Sequence, residues 1–234
     1  MDLGETMDAL NEKKAQAGHA AVELILPNSI VGLGTGSTAN FAIKRLAEKI
    51  KSGELVNIKC VATSTQTAQL AQSLELELLD MRKISSIDIT IDGADEIDPL
   101  LNLIKGGGGA LLREKIVAQA SRVVVIVADD EKLSQTLGTK WALPVEVFKM
   151  AVSSEKKYLE QIGANVTLRK NDAGKVFITD EGNYILDARF EPIQKPAELA
   201  DKLDRRAGVA SHGLFIGLTK RVILATDDGL TYLP

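Results

Sequence analysis

The stretch Asp88-Ile-Thr-Ile-Asp-Gly-Ala-Asp-Glu-Ile-Asp-Pro-Leu-Leu-Asn-Leu-Ile-Lys-Gly-Gly-Gly-Gly-Ala-Leu-Leu-Arg-Glu-Lys115 decides how the chain is read. Ile87, Ile89 and Ile91 alternate with Asp88 and Thr90, a period of two that predicts a short strand ending at Asp92. Asp92-Gly93-Ala94-Asp95 predicts a turn. Leu101, Leu103 and Ile104 form a second apolar segment that ends at Lys105. Gly106 to Gly109 give a loop with almost no side-chain bulk, and Ala110 to Ala120 reads as a helix. Charged groups at strand ends, beside a glycine loop that opens a helix, are how open α/β sheets build ligand sites. Two polar surface loops are the plainer alternative. Consecutive glycines lose much backbone entropy on ordering. A loop that merely connects has no need of them, so the stretch points to function.

Working outward, the same alternation of strands and helices continues on both sides. Thr6 to Leu26 carries apolar residues at helical spacing and is ended by Pro27. Ile30 to Leu33 predicts a strand, the segment after Gly34-Thr-Gly-Ser-Thr-Ala39 a helix to Lys51, Val56 to Ala62 a strand, and Thr65 to Leu74 a helix. Arg122 to Ala128 is a continuous apolar run of the kind found in buried parallel strands. This order predicts a doubly wound, mostly parallel, Rossmann-like sheet. After Lys132 the pattern changes. Leu143 to Phe148, Asn165 to Arg169, Tyr184 to Phe190 and Val209 to Leu218 read as strands, with helices at Ser154 to Ile162 and Pro196 to Ala207. Lys175 to Thr179 reads as a further extended piece between two turns. Strand-helix-strand-strand-helix-strand suits a small ferredoxin-like α+β unit. Val222 to Ala225 and Thr231 to Leu233, joined at Asp227-Asp-Gly229, predict a closing hairpin. The expected division is a catalytic α/β domain, 1–137 plus 211–234, with the smaller domain, 138–210, inserted.

The 234 residues are 45% hydrophobic and 26% charged, an ordinary globular composition. A net charge of -4 and an aromatic content of 4% argue against a nucleic-acid partner, which calls for a basic patch or stacking platforms. The lone Cys60 lies in an apolar segment and reads as a buried small hydrophobe rather than a nucleophile. Two histidines, His19 and His212, with one cysteine are too few for a usual zinc site, and no cofactor is expected. No apolar run approaches a membrane span of ~20 residues, and the N-terminus lacks a signal-like core. The cytoplasm is the expected location.

Gly34-Thr35-Gly36-Ser37-Thr38-Ala39 lies between a strand and a helix. Helix N-terminal N–H groups, with hydroxyls at Thr35, Ser37 and Thr38, suit a phosphate; a tight turn with hydroxyl capping is the alternative. The same residues fit G-x-G-x-x-A. The dinucleotide fingerprint also requires an acidic residue at the end of the next strand. That strand ends Val61-Ala-Thr-Ser-Thr65, so a dinucleotide is disfavoured. The Gly-Lys-Ser/Thr ending of a P-loop is missing too. A small phosphorylated ligand remains.

Gly34-Thr-Gly-Ser-Thr38, Asp92-Gly-Ala-Asp95, Lys105-Gly-Gly-Gly-Gly109, Arg113-Glu-Lys115 and Leu143-Pro-Val-Glu-Val147 stand in an order that resembles type A ribose-5-phosphate isomerase. Gly182-Asn-Tyr-Ile-Leu-Asp187 and Gly213-Leu-Phe215 resemble it as well, so the likeness covers nearly the whole chain. It implies metal-free interconversion of D-ribose 5-phosphate and D-ribulose 5-phosphate in the non-oxidative pentose phosphate pathway. It implies Glu114 as the base, Asp92 and Asp95 as the pair that holds the sugar hydroxyls and assists ring opening, and Lys105 beside the substrate oxygens. Substrate binding is implied for Thr35, Gly36, Ser37 and Thr38, for Asp92, Gly93, Ala94 and Asp95, for Lys105, Gly106, Gly107 and Gly108, and for Lys132. Lys14 is a weaker match to a phosphate contact. On the residues alone, turn-forming aspartates, a solvated glutamate and an ordinary ion pair of Lys105 are the alternatives. The resemblance also implies a homodimer or homotetramer. A sugar-phosphate-sensing regulatory domain of related fold is the competing reading. Such a protein should carry a DNA-binding helix-turn-helix, for which there is no room before Ile30, and could lose the base, whereas Glu114 is present.

Overall fold

The computed structural model describes residues 3–234, with side chains from Asn11 onward. Its contacts divide the chain into two compact units. The first comprises Met1–Gly93, Ile116–Lys132 and Leu218–Pro234, and the second Ala94–Lys115 and Leu133–Gly217.

The first unit holds a six-stranded sheet in the order Gly229–Leu233, Arg221–Thr226, Ser121–Asp129, Ile87–Asp92, Ile30–Leu33, Lys59–Ala62. Every pairing is parallel except that of the last hairpin, where Arg221–Thr226 meets Gly229–Leu233. Apolar runs make the centre of this sheet: Val124 to Ala128 and Val222 to Ala225 are all buried. Each such side chain contributes about 1.5–3 kcal/mol by leaving water. The helices Leu3–Val22 and Ser37–Lys51 pack on one another, and Ala17, Ala21, Ile43 and Leu46 join Val31, Leu33, Ile89 and Val125 in one core. A second cluster, Val61, Ile87 and Val117, brings in the end of the helix Leu111–Gln119. Expected boundaries move, beginning with the start of the first helix, at Leu3 rather than Thr6. The first helix stops at Val22, because Pro27 disfavours helix at the residue before it and Leu24 and Ile25 close a turn onto Ala21 and Val22. The second strand begins at Lys59, three residues after the expected Val56.

The second unit contains a four-stranded antiparallel sheet, Val209–His212, Leu143–Val147, Tyr184–Arg189, Asn165–Leu168. With the helices Val152–Gln161 and Pro196–Asp204 it has the ferredoxin-like order that the pattern predicts. Its core is Leu143, Val145, Val147, Leu159, Val166, Leu186 and Leu203. Lys175–Thr179 does not become a sheet strand; Val176 makes only an isolated bridge to Lys170. Gly213 splits the final extended segment, and Leu214–Phe215 pairs with Leu103–Ile104 in a small three-stranded sheet completed by Glu96–Ile97. That pairing is why 94–115 and 211–217 group with the antiparallel sheet here, while the sequence pattern cuts the chain at 138 and 211.

Glu96, fully buried, organises one loop of this unit. Its carboxylate accepts backbone N–H bonds from Gly138 (3.0 Å), Thr139 (3.1 Å), Lys140 (3.2 Å) and Trp141 (3.1 Å). A buried donor left without its partner costs about 1–3 kcal/mol, and of the four donors Gly138 is buried, so Glu96→Ala should lower unfolding stability by about 1–3 kcal/mol. Urea titration checks this; a midpoint near that of the unaltered protein would contradict it.

Candidate active site

In the first unit, the strand Ile30–Leu33 delivers its chain to the end of Ile87–Asp92, where the glycine loop and Asp92 meet. The N–H of Gly34 donates to the Ile91 carbonyl at 2.9 Å. Asp92, 2% exposed, accepts the N–H of Thr35 (3.0 Å) and of Gly93 (2.8 Å) on Oδ1. This approach needs glycine at 34, since a Cβ there would lie 2.3 Å from Asp92 Oδ1. Gly36, at φ +114°, is the N-cap of the helix Ser37–Lys51, whose first turn carries no acidic side chain. Gly36 and Ser37 are exposed and Thr38 is buried. The N-terminus therefore presents unpaired-end N–H character to an anion, with the positive end of the helix dipole behind it.

The hydroxyl of Thr35 turns the other way, into a cluster. It lies 2.8 Å from Thr63 Oγ1, donates to Ser64 Oγ at 2.9 Å and lies 3.1 Å from Thr67 Oγ1. Thr63 donates to the Leu33 carbonyl, Thr67 to that of Gly34, and Ser64 caps the helix Thr65–Ser73. The hydroxyls that stand where a dinucleotide site needs an acid thus lock the glycine loop to the next strand. Lys132 ends the short turn Asp130–Lys132 after the strand Ser121–Asp129, and Lys14 is half-buried on the first helix.

In the second unit, Lys105 and Glu114 come together. Lys105, 3% exposed, ends Leu103–Ile104, and its N–H donates to the Gly213 carbonyl at 2.9 Å. Glu114, 5% exposed, sits in the first turn of Leu111–Gln119. Lys105 Nζ stands 3.4 Å from Glu114 Oε1 and 5.6 Å from the centre of the Phe215 ring. The glycines between them turn tightly: Gly106 has φ +98°, and the Gly109 N–H returns to the Gly106 carbonyl at 2.9 Å. Asp95 is tied at both ends, its N–H to the Ile104 carbonyl (2.9 Å) and its Oδ2 to the Gly107 N–H (2.7 Å). Gly108 is the exposed residue of the run, and Ala94 opens this unit. A buried carboxylate beside a buried ammonium, next to backbone donors, can move a proton and steady a developing oxyanion.

Two groups escaped the sequence reading. Arg169 and Asp187 form a forked ion pair that reaches the glycine loop. Lys115 and His212 meet beside Phe215: Lys115 Nζ is 3.3 Å from His212 Nδ1 and 5.1 Å from the Phe215 ring centre. No spacing rule signals either; Phe215 stands in a quoted motif, but nothing in that motif names its cation partners.

A match to the family model described as ribose 5-phosphate isomerase A (phosphoriboisomerase A) spans residues 59–229. The chain is 51% identical over 225 residues to ribose-5-phosphate isomerase A of Desulfatibacillum aliphaticivorans, covering 96% of each. It is 49% identical over 221 residues to that of Chloroflexus aurantiacus, covering 94% of this chain and 92% of the relative. Among solved structures, a D-ribose-5-phosphate isomerase in complex with phospho-erythronic acid superposes with a TM-score of 0.93 at 36% identity, covering 96% of this chain and 98% of that one. The ribose 5-phosphate isomerase of Plasmodium falciparum gives 0.92 at 39% identity, over 95% and 98%. Fold and site geometry describe an α/β protein with a buried Lys105–Glu114 pair and a helix that starts at a glycine loop. The chain belongs to the ribose 5-phosphate isomerase A family.

The His212 environment fixes its tautomer. Nδ1 accepts the Leu214 N–H at 3.2 Å and faces the Lys115 ammonium, so the proton sits on Nε2 and is donated to Asp204 Oδ1 at 3.1 Å. Burial and the Lys115 charge lower its pKa to about 4, against the opposing pull of Asp204, which is largely exposed and therefore screened. The unfolded chain thus takes up the proton first, near pH 6.5. Stability is fully present above pH 6.5 and falls as pH drops towards 4, by on the order of 3 kcal/mol. His212→Asn should flatten the slope of unfolding free energy over that window; an unchanged slope would contradict a neutral buried imidazole.

Proposed function

We infer that the chain interconverts D-ribose 5-phosphate and D-ribulose 5-phosphate as an aldose–ketose isomerase, moving a proton between C2 and C1 through an enediolate. The observation that carries the mechanism is the buried Glu114 beside Lys105 at 3.4 Å, on the helix that follows the glycine run. In the open-chain sugar, the Glu114 carboxylate takes the C2 proton and negative charge passes to the carbonyl oxygen on C1. The Lys105 ammonium stabilises that charge. Glu114 returns the proton to C1, the C2 hydroxyl loses its proton to become the ketone, and the C1 oxygen gains one. Asp92 and Asp95 hold the sugar hydroxyls and assist ring opening, with Gly93, Ala94 and the backbone of Gly106, Gly107 and Gly108 alongside. Gly36, Ser37 and Thr38 take the phosphate at the helix N-terminus, with Thr35 bracing their loop and Lys132 as a further substrate contact.

Steady-state kinetics separate the two roles. Glu114→Gln keeps the shape and one acceptor, so kcat should fall at least about a hundredfold while KM changes little. Ser37→Ala with Thr38→Ala should do the reverse, raising KM, since each lost charge-assisted hydrogen bond is worth roughly 1.5–3 kcal/mol. Near-normal kcat in the first would remove Glu114 as the base, and an unchanged KM in the second would place the phosphate elsewhere.

No described helix is long and apolar enough to cross a membrane, and we place the activity in the cytoplasm, in keeping with a sugar-phosphate substrate. The family resemblance supports a homodimer or homotetramer. Sedimentation at micromolar concentration should give two or four times the 25.1 kDa of one chain; a single-chain mass would contradict it.

A further inference from the structure

We propose that Arg169 is a positioning residue for this reaction: its guanidinium fixes the Gly106–Gly107 peptide and, through that peptide, the carboxylate of Asp95. The inference rests on the isomerase reading and adds a residue to it. Arg169 follows the strand Asn165–Leu168, and Asp187 lies on the neighbouring strand Tyr184–Arg189, opposite Thr167. Sheet pairing therefore sets the two side chains side by side. Arg169 Nε donates to Asp187 Oδ2 at 2.9 Å and Nη2 donates to Oδ1, the two-point geometry that immobilises a guanidinium. The remaining nitrogen, Nη1, donates to the carbonyls of Gly106 (2.8 Å) and Gly107 (3.0 Å). The side chain is only 13% exposed, so solvent screens these bonds weakly.

The Gly106 carbonyl and the Gly107 N–H belong to one planar trans peptide and point in opposite directions. Arg169 holds the oxygen end, and Asp95 Oδ2 holds the hydrogen end at 2.7 Å. A cation at the carbonyl polarises the amide and strengthens its donation to Asp95. The Gly108 N–H, in the next peptide, is turned away from Arg169 in the same manner. Glycine has the widest choice of backbone conformations, and here Gly106 stands at φ +98°. The run therefore needs an outside group to select one conformation, and Arg169 contacts both of its first two carbonyls. Phe177 fills the space beside Gly109, where a Cβ would lie 2.4 Å from the ring, so the loop is confined from a second side.

Arg169→Ala tests the role alongside the unaltered protein. Loss of a charged hydrogen bond corresponds to roughly 10–100-fold in rate, and that fall is expected in kcat, with little change in KM. Guanidinium ion at sub-denaturing concentration should restore part of the lost kcat by filling the vacated place. Arg169→Lys should restore little, because donors on a single nitrogen do not reproduce the planar fork on Asp187 together with contacts from a separate nitrogen to the two carbonyls. If Arg169→Ala does not fold, Asp187→Asn, which loosens the fork and leaves the guanidinium present, should show a smaller kcat loss of the same kind. A kcat within about twofold of the unaltered protein, or a loss that follows the unfolded fraction by circular dichroism and deepens with guanidinium, would overturn the proposal. Absence of turnover in the unaltered protein would instead overturn the isomerase reading, and this role with it.

Discussion

A buried lysine and a buried glutamate, held 3.4 Å apart, are the constraint on which the second unit is built. Taking either charge out of water alone costs several kcal/mol, and mutual attraction offsets this only when the geometry is kept. The chain keeps it by anchoring each side separately. Lys105 is fixed through its own backbone to Gly213, and its ammonium lies over Phe215. Glu114 is fixed by the first turn of a helix. Between them the backbone must reverse within a few residues, which is why glycine at positive φ occurs at 106 and again at 109. The small sheet of Leu214–Phe215 on Leu103–Ile104 is thus part of the site rather than an accessory to it.

The first unit solves a different problem with neutral groups. Its loop must expose N–H donors at a helix start while the residue before them stays rigid. Asp92 accepts two backbone N–H groups, and four hydroxyls from Thr35, Thr63, Ser64 and Thr67 close a network behind the loop. Hydroxyls both donate and accept, so a closed ring of them leaves few buried polar atoms unmet. An acidic side chain at that strand end would break the ring and set a negative charge beside the helix N-terminus proposed to take the phosphate.

Much of this was legible in the residues. Ile30–Leu33 shows as a short apolar run ahead of the glycine loop, and Ile87–Asp92 as the alternation of Ile87, Ile89 and Ile91 with Asp88 and Thr90. The ferredoxin-like order was legible from the order of strands and helices after Lys132. What the sequence hid was long-range. Lys175–Thr179 looks like a strand by content, but Phe177 is spent on packing at Gly109, and only one bridge forms. The helix after Pro196 ends at Asp204, short of the expected Ala207, and Arg206 instead forks onto the buried Glu155. Arg169 reads as an ordinary charged strand end; only the pairing of its strand with that of Asp187 reveals where its guanidinium goes. Likewise His212, which the residue count weighs only against a zinc site, is buried and polar-bonded on both nitrogens.

The central claim is that this chain moves a carbon-bound proton with its own carboxylate and needs no added metal. Proton NMR of ribose 5-phosphate with the unaltered protein in deuterium oxide and excess EDTA tests it most directly. Ribulose 5-phosphate should form at the full rate, with deuterium entering at C1 in the turnovers in which the proton held on Glu114 exchanges with solvent before its return. Turnover that stops in EDTA and returns with a divalent cation would contradict it.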